Sequence, residues 1–461
     1  MDALVTPPGD AVADALGRSR AVAAAWAALP VARRLTVIAR TRRLIGDRAA
    51  ELAGLVARPA ADTLVAEVLP LAAAAAWLVR HAGWALRPRP ARGRRPVWLA
   101  GVRSIIRREP MGVVLILGPG NYPLFLPGVQ ALQALAAGNA VCVKPAPGGG
   151  AVMQALAGLL AEAGLPAGVL QVLEDSAETG RAAARAAFDK IVLTGSAETG
   201  RSVLAACADG LRPAVVELSG NDAVFVLPGA DLELVASCLA YGLRLNAGAT
   251  CIAPRRVFVL AEMAERLEAE LTRKLAGMEA PPMGPRLAGL VSAALAEGAR
   301  LVRERPVVLA AARPEMALLV EDVFAPWLAI VPVAGPDAAL AAAAQCPYAL
   351  GASVFGPETA ARAFATRVHA GSVCVNDVIV PTADPRLPFG GRGRSGFGAT
   401  RGEDGLLEMT AAKAISVRRG RFRPHLHAPR PGDEARFAAL VAMLHGGWRA
   451  RAAALRQLAR R

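Results

Sequence analysis

From residue 112 onward the chain repeats one rhythm: a short apolar run closed by Gly, Pro or Asn, then a helical stretch, then another apolar run. The runs GVVLILGP, NAVCVKP, VLQVLE, KIVLTGS, AVVELSG and DAVFVL fall within residues 112–227. Strands this short and this uniformly apolar belong to parallel sheets covered on both faces by helices. A second set follows residue 251: RRVFVL, LAIVPV, LGASVFG and GSVCVND. Two α/β layers, each with its own sheet, are therefore expected. Ahead of them, residues 10–85 place apolar side chains three and four apart with Arg on the other face, the helical period. LRPRPARGRRP (86–96) reads as a connector, and VWLAGVRSIIRREP (97–110) alternates in part like an exposed hairpin. PFGGRGRSGFG (388–398) is a glycine-rich loop and AKAISVRR (412–419) a final strand. Residues 433–460 read as two short amphipathic helices broken at Gly446–Gly447.

A length of 461 residues suits two or three domains. The formal charge is +15, but residues 418–461 carry eleven Arg against Asp433 and Glu434, so +9 lies in the tail. The rest is mildly basic, and no nucleic-acid partner is expected. The tail's charge and helices suggest docking on an acidic neighbouring surface, first of all within an oligomer, or a weak contact with anionic membrane. The six cysteines are widely spaced, with no CxxC pair and no Cys/His cluster of zinc spacing, so no metal is expected. The N-terminal MDALVTPPGD lacks a signal-peptide pattern. The longest charge-free run there, Val68 to Val79, is 12 residues, short of the ~20 that a spanning helix needs. A cytoplasmic protein with reduced thiols and no membrane span is expected.

Rare residue types mark the candidate chemistry. Asn121 follows a strand end in ILGPGNYPLF, where its amide can donate to an oxyanion or simply shape a turn. Lys144, one of only four lysines, ends the strand of NAVCVKPAPGG, where an α/β sheet opens its ligand crevice. VLTGSAETGR (192–201) offers Gly195 for close approach, Ser196 as a helix cap that can meet a pyrophosphate, and Gly200. Glu217 ends an apolar strand in AVVELSGND, a costly position unless it is partnered or faces a cavity, and one suited to a general base with a raised pKa. Cys251 sits in LNAGATCIAPRRV between small residues. A core thiol needs no such open setting; a nucleophile does. Each feature alone also has an ordinary reading: a turn, a solvated Lys, an N-cap, an ion-paired Glu, a buried thiol.

Together, Asn121, Lys144, Gly195–Gly200, Glu217, Cys251, the EDVFAP stretch (321–326) and PFGGRGRSGFG, in this order, resemble the aldehyde dehydrogenase superfamily from the N-terminal helices to about residue 418. The resemblance implies an aldehyde dehydrogenase-like α/β fold. A Rossmann-type NAD(P)-binding domain would span 1–217, with an oligomerisation hairpin at about 91–109. A catalytic α/β domain would span 218–395. Residues 396–461 would hold a return segment, an oligomerisation strand at about 411–418 and the basic helical tail. It further implies a homodimer or homotetramer that oxidises an aldehyde to a carboxylic acid with NAD or NADP. Cys251 resembles the nucleophile, Asn121 with the Cys251 N–H the oxyanion hole, and Glu217 the base that activates water. Lys144 resembles the ribose- or 2′-phosphate-binding Lys, Ser196 the pyrophosphate contact, and Phe324 the residue beside the nicotinamide. Asp322 stands where a Glu commonly holds the nicotinamide ribose. Other departures are Ala249 for a usual Gln, Ser219 for a Gly, Gly120 for a Trp, and Pro147 for the ribose-binding Glu of many NAD-preferring members. Two alternatives stay open: a CoA-acylating dehydrogenase, and a non-catalytic protein on the same fold.

Overall fold

The computed structural model describes residues 8–421 and 423–459. It divides into a large unit, Met1–Arg89 with Ile106–Lys413, and a small one, Pro90–Ile105 with Ala414–Arg461.

The large unit holds both expected sheets. The first has six strands in the order Gly396–Phe397, Ala214–Leu218, Lys190–Gly195, Val113–Leu117, Ala140–Lys144 and Leu170–Val172. All pair in parallel except the two-residue edge strand, where Gly396 lies antiparallel against Glu217. Every residue of Val113–Leu117 and of Ala140–Lys144 is buried, which accounts for the unbroken apolar runs. The order reverses between Val113–Leu117 and Lys190–Gly195, and such a switch point opens a crevice at the carboxyl ends of the strands.

The second sheet has seven strands: Arg300–Arg303, Val307–Ala310, Trp327–Val333, Pro254–Leu260, Asp222–Val226, Gly351–Phe355 and Ser372–Val375. Arg300–Arg303 pairs antiparallel at one edge and the rest are parallel. Sequence reading missed Arg300–Arg303, which has Arg at both ends, and Val307–Ala310, a wholly apolar and buried strand of only four residues.

Helices Pro8–Ala28 and Val31–Asp47 and the helical run 60–85 make up the N-terminal region. That run is long and apolar enough to cross a bilayer by length and composition. Here Leu71, Ala75, Leu78 and Ala82 are instead buried in the core shared with Val31–Asp47 and Phe125–Ala137. A π-helical turn, Leu64–Val68, interrupts it and carries the fully buried Glu67.

The small unit contains Pro90, the outer part of a strand Val102–Pro110 and that of Thr410–Arg418, which lie in one three-stranded sheet. The expected hairpin is lopsided, because its first arm is only Arg89–Pro90. Helices Asp433–His445 and Trp448–Ala459 pack on each other, with the break where Gly446–Gly447 places it.

Candidate active site

The sheet register sets out half of the site. Leu117 pairs with Lys144, and Thr194 with Glu217, so adjacent strands end at one level. Above these ends lies a cleft of about 1160 Å³, lined by Asn121, Lys144, Gly195, Ser196, Glu217, Cys251, Asp322 and Phe324 among others. Gly200 is not on it. It is buried inside helix Ala197–Asp209, where a Cβ would meet the Leu218 side chain at 2.7 Å. The missing side chain lets the helix pack closely on the sheet there.

Cys251 lies three residues before strand Pro254–Leu260, in a loop with an unusual backbone. Asn246 and Ala247 have φ of +50° and +49°, in the left-handed region that side chains disfavour. Gly248 follows at +71°, and a Cβ there would sit 2.6 Å from the Ala325 carbonyl oxygen. That close approach joins the thiol loop to the segment carrying Asp322 and Phe324. The buried Arg255 staples the junction, donating to the carbonyls of Gly248, Ala325 and Trp327. The Cys251 backbone N–H has no hydrogen-bond partner among the described residues.

Asn121 Nδ2 donates to the Ala249 carbonyl at 2.9 Å, which aims its amide at the thiol loop and leaves its second N–H uncommitted. Its own carbonyl is held by Asn246 Nδ2 at 3.0 Å and Arg58 Nη2 at 2.9 Å. Arg58 also pairs with Glu67 at 2.6 Å, and Glu67 Oε2 accepts the N–H groups of Leu124 and Phe125. A buried ion pair thus clamps the Asn121 loop at several points. Tyr122 Oη bonds Thr250 Oγ1 at 2.7 Å, beside the thiol.

Glu217 is 2% exposed. Its Oε2 accepts from Thr400 Oγ1 at 2.8 Å, while its Oε1 has no partner among the described residues. Burial raises its pKa above the ordinary carboxylate range, opposed by the Arg401 charge and the Thr400 hydrogen bond. The Cys251 thiol is pushed up as well, by burial first, then by Glu217 and Asp222, against the pull of Arg401 and a backbone N–H at Ile252. Asp222 is itself held well above its usual value by burial, while accepting the Gly351 N–H and facing Arg256 and Arg255.

Lys144, also on the cleft, is 7% exposed, and its ammonium makes no hydrogen bond to any described residue. Burial lowers its pKa, partly offset by Asp175 and Glu174. Ser196 caps helix Ala197–Asp209 by accepting the Thr199 N–H. Asp322 accepts from Tyr348 Oη at 3.3 Å and lies 3.8 Å from Arg286, while Phe324 is exposed. Thr400, Arg401, Arg58 and Glu67 escaped the sequence reading. Glu217 and Thr400 are separated by 183 positions, and neither has a local signal that points to the other. Among the described residues no cluster of His, Cys, Asp and Glu has the makings of a metal site.

The sequence profile of the aldehyde dehydrogenase family matches residues 8–415. A probable coniferyl aldehyde dehydrogenase of Pseudomonas aeruginosa is 30% identical over 385 residues, 78% of this chain and 80% of that protein. A putative succinate-semialdehyde dehydrogenase [NADP(+)] of Mycolicibacterium smegmatis is 29% identical over 440 residues, 88% and 84% of the two chains. The crystal structure of a Mycobacterium tuberculosis aldehyde dehydrogenase complexed with NAD+ superposes with a TM-score of 0.82 at 27% identity, covering 89% of this chain and 92% of that one.

Proposed function

The chain belongs to the aldehyde dehydrogenase family, oxidising an aldehyde to a carboxylic acid with NAD or NADP, and on that premise we propose how its residues divide the work. The observation that carries the proposal is that Cys251, Glu217 and Asn121 line a single cleft. An acyl-transfer reaction needs a nucleophile, a base and an oxyanion donor, and these are the three.

Cys251 gives up its proton toward Glu217, and the sulfur attacks the aldehyde carbon. The free N–H of the Asn121 amide and the Cys251 backbone N–H meet the oxygen as it becomes negative. NAD(P)+, when bound, supplies the acceptor for the hydride that the resulting thiohemiacetal loses. A thioester then remains on Cys251. After releasing that first proton to solvent, Glu217 takes a proton from water, the hydroxide adds to the thioester carbon, the C–S bond breaks, and the acid leaves as the sulfur recovers a proton from Glu217. Glu217 therefore has to be a carboxylate twice in each cycle, and a raised pKa makes it a better base than an exposed Glu.

The cleft also fits the cofactor. The buried, unpartnered Lys144 ammonium suits ribose hydroxyls or phosphate, and the N-terminus of helix Ala197–Asp209 suits the pyrophosphate beside Ser196. Phe324 would lie beside the nicotinamide and Asp322 against its ribose. On this division residues 1–217 form the cofactor domain and 218–395 the catalytic one, with 396–461 returning to complete them. A CoA-acylating route would not need Glu217 in the cleft. The exposed Val97, Trp98, Ile105 and Val417 of the small unit favour association into a homodimer or homotetramer through it. The tail helices would then dock within that assembly. All six cysteines are free, which suits a reducing, cytoplasmic setting where Cys251 stays a thiol.

An aldehyde panel with NAD+ or NADP+, each with and without CoA, tests the reading. Reduced cofactor should form with acid as the product and no need for CoA. Turnover that depends on CoA would replace hydrolysis with acyl transfer, and no turnover with any aldehyde would remove the catalytic reading.

A further inference from the structure

Arg401 stands where a side chain is expensive. Its φ of +66° and ψ of 170° fall in a region that glycine occupies almost alone, at a cost of about 1–3 kcal/mol for other residues. The chain could have used glycine there, as it does at Gly402 next door. The residue is also a cation at 4% exposure, with Nε lacking any partner among the described residues. Its guanidinium lies 4.1 Å from the centre of the Phe389 ring and 5.5 Å from that of Phe125, and it donates to the Thr382 carbonyl. Phe389 belongs to the small apolar cluster that includes Cys251 and Ile252. The neighbouring Thr400 holds Glu217.

A backbone under strain, a buried charge and a nitrogen without a partner are three costs paid at one residue, beside the candidate nucleophile and base. We propose that Arg401 is a positioning residue for the reaction, a buried cation that acts through Glu217 and Cys251 by holding positive potential over both. This rests on Cys251 being the nucleophile. The other charged groups facing the thiol are Glu217 and Asp222, both carboxylates, with Tyr122 and a backbone N–H at Ile252 nearby, and Arg401 is the cation among them. Around Glu217 the opposing influences are Arg401 and the Thr400 hydroxyl. With the cation in place, the sulfur and the carboxylate each lose a proton more readily than they would without it. Without it, thiolate and carboxylate are both disfavoured, so reactivity at Cys251 moves to higher pH.

The test is the rate of Cys251 alkylation by iodoacetamide against pH, read by mass spectrometry on the full chain without cofactor, beside the pH profile of kcat/KM. Arg401→Met keeps much of the volume and drops the charge; its alkylation midpoint and the acid limb of kcat/KM should both rise by about one pH unit or more. Arg401→Lys should bring both most of the way back. If Arg401→Met does not fold, Arg401→Gln, which can still donate to Thr382, reads the same quantity. Midpoints equal to the parent's in the uncharged variants would overturn the proposal, as would Lys and Met shifting alike, which would make Arg401 a structural plug. If alkylating Cys251 of the parent leaves dehydrogenase activity intact, the failure lies in the nucleophile assignment instead.

Discussion

Burial and the carboxylates of Glu217 and Asp222 push the half-buried Cys251 thiol up, so the proposed attack needs Glu217 to take its proton. The other five cysteines lie elsewhere: Cys142 and Cys374 in strands, Cys207 and Cys238 in helices, and Cys346 buried in a loop, and none of them lines the cleft. Cys251→Ala should therefore abolish turnover while thermal-shift measurements still report NAD(P)+ binding; dehydrogenase activity surviving in that variant would contradict the assignment. Cofactor choice also turns on single residues. Lys144 presents an unpaired ammonium, and Pro147 puts no carboxylate in the cleft to repel a 2′-phosphate. NADP+ should be used with kcat/KM within about tenfold of NAD+, a difference of roughly 1.4 kcal/mol. Strict NAD+ dependence would mean that Asp175 or Glu174, which already face Lys144, take over the missing carboxylate's task.

Among the elements, the strand runs were legible because burial on both faces leaves an unbroken apolar signature, and Val113–Leu117, Ala140–Lys144 and Lys190–Gly195 carry it. Of the two short strands at 300–310, Arg300–Arg303 carries none, while the wholly buried Val307–Ala310 carries it over only four residues. Site residues at strand ends were legible because a polar residue closing an apolar run stands out, as Lys144 and Glu217 do. Gly200 reads locally as a cofactor contact because a glycine near a helix start resembles one; the structure packs it against the Leu218 side chain, outside the lining of the cleft. The supports of the site stayed hidden because they come from distant parts of the chain. Arg58 and Glu67, from the loop and π-helical turn before residue 69, hold the segment carrying Asn121. Arg58→Ala leaves Glu67 buried and unpaired, so it should cost about 3–5 kcal/mol in urea unfolding and lower kcat as the Asn121 amide loses its place. A loss below about 1 kcal/mol would mark the pair as no more than a surface salt bridge.

At the scale of the whole molecule, residues carried by both sheets line one cleft. The first brings Lys144, Ser196 and Glu217 to the cleft, and the loop leading into the second brings Cys251. Strand Gly396–Phe397 returns to the first sheet and sets Gly396 against Glu217, which delivers Thr400 and Arg401 to the base. Two chemical halves on one sulfur predict that they can be separated. Glu217→Gln keeps size and shape but cannot accept a proton from water. The first hydride transfer should persist at least in part, and hydrolysis should slow by about 10²–10⁴-fold. The measurement is rapid mixing of Glu217→Gln with aldehyde and NAD(P)+, followed by mass spectrometry of the quenched chain. The predicted result is a burst of reduced cofactor close to one per active site, a slow steady state, and an acyl adduct on Cys251. Steady turnover at the parent's rate, with no burst and no adduct, would contradict it.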